Sequence, residues 1–157
     1  MISRFDIFER LFTTILAVVL PFIIYFTYPE LKTISQSWIT PLQPMFIITN
    51  ALVSFFFFKL PKWRIPALLL LLLTAFPVCD YFVLHNIFAI LFFIFSGISL
   101  LSLKKFRFYI LIYIMSLFFI TSGLFWVETW AIITLCLYHM HIMVYTLLIS
   151  RNRPNRL

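Results

Sequence analysis

Long apolar runs, separated by short polar or proline-bearing joints, make up almost the whole chain. A helix needs about 20 mostly apolar residues to cross a hydrocarbon core of about 30 Å. The runs Leu11–Tyr28, Leu42–Phe58, Ile65–Cys79, Tyr81–Leu103, Phe108–Val127 and Thr129–Ser150 approach or reach that length. The pattern predicts one all-α domain over residues 1–157, a polytopic transmembrane helical bundle of six spans.

The middle of the chain decides between six spans and five. Ile65–Leu103 read as one helix would extend about 58 Å at about 1.5 Å per residue, close to twice the core thickness. Pro77 weakens a helix there, and Asp80 would be costly at the bilayer centre, so a turn is expected between them. Basic residues agree with this division, because short cytoplasmic loops are rich in Lys and Arg. With six spans, Arg4, Arg10, Lys59, Lys62, Arg64, Lys104, Lys105, Arg107, Arg151, Arg153 and Arg156 share one side, and Lys32 alone falls on the other. Merging the third and fourth spans would place the two basic loops on opposite faces. The expected topology is therefore N-in and C-in, in a bacterial cytoplasmic membrane.

Composition supports the bilayer as solvent. The chain is 64% hydrophobic and 11% charged, with a mean hydropathy of +1.08, against about 25% charged residues in soluble domains. Its net charge of +7 reports topology rather than nucleic-acid binding, since the basic residues lie in clusters between apolar runs. No cleavable signal is expected, because Pro21 and aromatic residues follow the first apolar run without a small-x-small site. Cys79 and Cys136 fall at different depths, and no disulfide is expected. Trp38, Trp126 and Trp130 near the outer boundary and Trp63 near the inner one are placed as interfacial anchors.

Polar side chains are expensive in lipid, so the few present are the candidates for chemistry. Asp80, His85, Asn86 and Glu128 form a candidate outer polar cluster, able to bind a cation, relay a proton or hold a lipid headgroup if the bundle brings them together. Asn50 and His139 form a candidate buried polar pair, with an interhelical hydrogen bond as its simplest use. His139 and His141, two residues apart on a helix, point about 200° apart and do not make a shared metal site. Glu128 and His139 share a helical face at depths about 16 Å apart. No GxSxG elbow, Walker loop, HExxH helix or CxxC pair occurs, which disfavours familiar soluble-enzyme chemistry. Basic segments Lys59-x-x-Lys62-x-Arg64 and Lys104-Lys105-x-Arg107 suit anionic headgroups as well as orientation.

The order of these features resembles the DRAM-type six-span family, which includes the damage-regulated autophagy modulators, the FGF-receptor-activating-protein relatives and the GPI-lipid-remodelling proteins. The resemblance rests on the proline-containing loop from Tyr28-Pro29 through Pro41-Leu42-Gln43-Pro44, on Asn50, on His85-Asn86-Ile87-Phe88 and on Trp126-Val127-Glu128-Thr129-Trp130. It implies a multi-pass protein working on or among lipids, with Asn50, His85 and Glu128 at the matching positions. A second similarity, to the ceramidase and progestin-receptor superfamily of intramembrane hydrolases, implies zinc held by residues such as Asp80, His85 and His139. The preferred reading is non-enzymatic: a lipid-associated protein or accessory subunit of a membrane complex, with membrane lipids and other membrane proteins as partners, and no cofactor, metal or nucleic acid. A metal-dependent lipid hydrolase is the alternative and a small transporter the third reading.

Overall fold

The computed structural model describes residues 4–102 and 104–151, and among them every regular element is helical. Helices α1 (Arg4–Thr27), α2 (Gln43–Phe58), α3 (Arg64–Ala75), α4 (Phe82–Leu100), α5 (Phe108–Met115) and α6 (Leu124–Arg151) follow the predicted runs. Four stretches are long and apolar enough to cross a membrane: Ile7–Thr27, Phe82–Leu100, Lys104–Ser122 and Leu124–Leu148. α2 and α3 are shorter, with 16 and 12 residues. Leu103, Arg153 and Arg156, which entered the sequence reading, lie outside the described residues.

Chain breaks have local causes. α3 stops at Ala75, just before Pro77, and α4 starts at Phe82, just after Asp80, so the expected hairpin forms at that point. The last two spans divide earlier than expected. α5 tightens into a 3-10 helix over Ser116–Ser122, and the turn falls at Gly123, whose φ of 108° few residues other than glycine adopt. Glu128 therefore lies one turn inside α6 instead of in the loop before it. The sequence reading placed the break at the nearest charge, whereas backbone conformation put it at the glycine.

α2 packs along α3 and α3 along α4 more extensively than the other helix pairs, while α1 and α6 close the bundle behind them. The buried core is apolar and aromatic, running from Leu20, Ile24 and Phe46 at one end to Trp63, Phe106 and Tyr138 at the other. Outward-facing positions carry Phe26, Val83 and Phe118, all strongly exposed. A belt of exposed aromatic and aliphatic groups is unfavourable in water and favourable in lipid.

The two ends of the bundle differ in chemistry. At one end Lys59 pairs with Glu9, Lys62 donates to the Ser102 carbonyl, Arg10 lies over the Phe56 ring and Lys105 over the Tyr145 ring. Opposite it, a 3-10 helix (Ile34–Ile39), the α3–α4 turn and Gly123 make up an end that holds Asp80 and Glu128.

Candidate functional site

Glu128 is the centre of the polar end. Its Oε2 accepts the backbone N–H of Ile34 at 2.8 Å, the first residue of the 3-10 helix, whose early N–H groups have no partner within the helix. A carboxylate from α6 thus caps a helix 94 positions away in the chain. Gln36 Oε1 ties the same loop down by accepting from Lys32 N at 2.6 Å and Thr33 N at 3.3 Å.

Two empty spaces meet at Glu128. The first is a cavity of about 80 Å³ inside the bundle, lined by apolar side chains and by Ser35, Thr49, Asn50 and Glu128. Thr49 is 3% exposed and its Oγ1 has no hydrogen-bond partner. Pro21, which lacks an N–H, leaves the Ala17 carbonyl without its intrahelical donor, and both residues line the cavity. The space is mainly apolar with a few polar groups, has the volume for a few water molecules, and among the described residues has no Lys, Arg or His in its lining.

The second space is a groove of about 700 Å³ open to the side of the bundle, between α4 and the α5–α6 segment. Asn86, Ala89, Ile90, Phe93, Ile94 and Gly97 form its α4 wall, spaced three and four apart along one helical face. Tyr113 joins the two sides by donating its hydroxyl to the Phe93 carbonyl at 3.1 Å, and its ring passes close to Gly97. Glu128, Ala89 and Phe93 line the groove and the cavity alike, so they form the partition between them.

The other expected members of the outer cluster part company with Glu128. Asp80 is exposed on the α3–α4 turn. His85 is 1% exposed, and its Nδ1 lies 2.7 Å from the Phe76 carbonyl, where it closes the α3–α4 hairpin. Asn86 alone shares a space with Glu128, the groove. Among the described residues no group of three His, Cys, Asp or Glu side chains converges as a metal site needs, so Asp80, His85 and His139 do not fit the zinc centre of the second resemblance.

Asn50 and His139 do not form the expected pair. Asn50 opens into the Glu128 cavity, whereas His139 Nε2 is buried without a hydrogen-bond partner. Aromatic rings surround this imidazole: Trp63 at 4.3 Å, Phe57 at 4.6 Å, and Phe56 and Tyr138 at 5.3 Å between centroids. Burying Trp63 to 2% exposure makes it part of this cluster and not an interfacial anchor. Its position just before α3 points it inward, a direction that hydropathy does not encode. His141 faces the opposite way, exposed, with Nδ1 at 3.3 Å from the Tyr109 hydroxyl.

Thr49, Ala89, Phe93 and the Ile34 amide were not legible as site members, since each looks ordinary in sequence and acquires a role only through its neighbours. Comparison with family models, curated proteins and solved structures finds no match to this chain.

Proposed function

We propose that this chain is a non-enzymatic lipid-binding membrane protein, acting alone or as an accessory subunit, which holds a lipid chain in the groove between α4 and α5–α6. The observation that carries the proposal is the groove itself: a volume of about 700 Å³ with a mainly apolar lining, open to the side of the bundle, with Asn86 and Glu128 among its polar groups. Glu128 stands four residues into α6, about 6 Å along the axis. That depth suits the zone just below a membrane's polar headgroups. A lipid tail therefore meets isoleucines while its head meets the carboxylate and the amide.

Six crossings with both termini cytoplasmic belong to the same proposal, as does a bacterial cytoplasmic membrane. Short as they are, α2 and α3 run between the same two ends as the long helices. α2 follows the 3-10 helix of the polar end and finishes beside Glu9. α3 begins where Lys62 meets Ser99 and finishes where Phe76 meets His85. Reporter fusions after Lys62 and Lys105 are expected to report cytoplasm, and an external signal from either overturns the topology. A relationship to the DRAM-type family, through Asn50, His85 and Glu128, accords with a role among lipids and stands as part of this reading.

Groove occupancy is tested by filling it. Ile94 is 52% exposed and lines the groove, so Ile94→Trp adds bulk there without entering the core. Purified in mild detergent, the wild-type chain is expected to retain phospholipid by native mass spectrometry, and the variant to lose most of it while keeping its thermal unfolding midpoint. Equal retention by both proteins sinks the proposal.

A further inference from the structure

We infer that the lipid taken by the groove carries a protonated amine in its headgroup, which pairs with Glu128 where groove and cavity meet; this rests on the lipid-binding reading above. Among the described residues, Glu128 is the single charged side chain in the lining of either space. Beneath a bilayer surface a carboxylate without a counter-charge is costly, and an approaching ammonium offsets that cost while a phosphate alone adds to it. The surrounding groups can serve the same ligand. Asn86 on the groove side and Asn50 on the cavity side bring amide groups, and Thr49 Oγ1 is buried, unpartnered and set in the cavity lining. An ammonium brings several N–H donors and no acceptor, and the carboxylate together with these amide and hydroxyl oxygens can accept them.

Charge distribution over the bundle points to the same ligand. Most basic residues stand at the opposite end, Lys62, Lys104 and Lys105 among them, where a basic surface attracts phosphate without discrimination, while Lys32 lies in the loop before Ile34 at the Glu128 end. A headgroup that joins a phosphate to an ammonium can place the cation at Glu128 and leave its phosphate toward the aqueous boundary. The apolar tail then lies along Ile90, Ile94 and Ile98 on α4. Ala89 keeps the partition thin on the α4 side, so waters in the cavity can complete the ammonium's hydrogen bonds.

The test uses the full chain in nanodiscs, offered equal amounts of phosphatidylethanolamine and phosphatidylglycerol with matched acyl chains, and reads bound lipid by native mass spectrometry. Wild type is expected to enrich the ethanolamine lipid at least about fivefold, the selectivity of roughly 1 kcal/mol. Glu128→Gln retains a carbonyl oxygen for the Ile34 amide, and it is expected to bring the ratio near parity. A second measurement needs no variant: stepwise N-methylation of the ethanolamine probe removes donors and is expected to reduce binding to the wild-type chain at each step. Equal retention of the two lipids by wild type, or an unchanged preference in Glu128→Gln, overturns the amine assignment while leaving groove binding intact. Failure to retain either lipid, with no response to Ile94→Trp, overturns the lipid-binding reading itself.

Discussion

Glu128 and His139 occupy the same face of α6, three turns apart, and their surroundings are opposite. Around His139 the bundle is filled with rings, leaving Nε2 without a polar partner and only a small gap of about 20 Å³ beside Thr13 and Cys136. Around Glu128 the helices stand apart, with a cavity on one side and a groove on the other. A polar residue on the inward face of a membrane helix is thus not by itself a site. His139 is absorbed as an aromatic-like packing unit, and Glu128 is left with one oxygen on Ile34 and open space beside it. Packing density, rather than residue type, separates the two.

Three substitutions sharpen this contrast. Trp63 sits in contact with His139, Phe57 and Tyr138, and Trp63→Ala is expected to cost about 3 kcal/mol through the void it leaves, read as a lowered unfolding midpoint in detergent. A small effect would mean that the ring cluster is not what holds this end together. Gly123→Ala tests the polar end. Nothing lies within 4 Å of the added methyl, so the expected loss of about 2 kcal/mol comes from the backbone alone. Because Gly123 sets where α6 begins, weaker lipid retention should accompany the lower midpoint. The smallest change is expected at His139. Replacing this imidazole, whose Nε2 has no partner, by a ring of similar size in His139→Phe should shift stability by less than about 1 kcal/mol and leave lipid binding alone. Loss of lipid binding in that variant would make the two ends one functional unit and remove the contrast.

Much of the architecture was readable from hydropathy. The six apolar runs became six helices, and the break between α3 and α4 falls where Pro77 and Asp80 required it, because membrane thickness and helix rise restrict what an apolar run can do. The α5–α6 break was missed by one turn. Gly123 carried the signal there, and charge was followed in its place. The angular separation of His139 and His141 was also legible, and in the structure the two faces differ, one imidazole being buried and the other exposed.

Sequence by itself determined the solvent, the helical class and the segregation of charge, for these depend on each residue's own transfer free energy and on local periodicity. Tertiary structure alone decided that Asp80, His85 and Glu128 would separate, that Asn50 would line a cavity with Glu128 instead of bonding to His139, and that Trp63 would turn inward. Those outcomes depend on which helices become neighbours and how closely they approach. In lipid that choice is made by van der Waals fit between whole faces, as at Gly97 and Tyr113, and no single residue's polarity contains it.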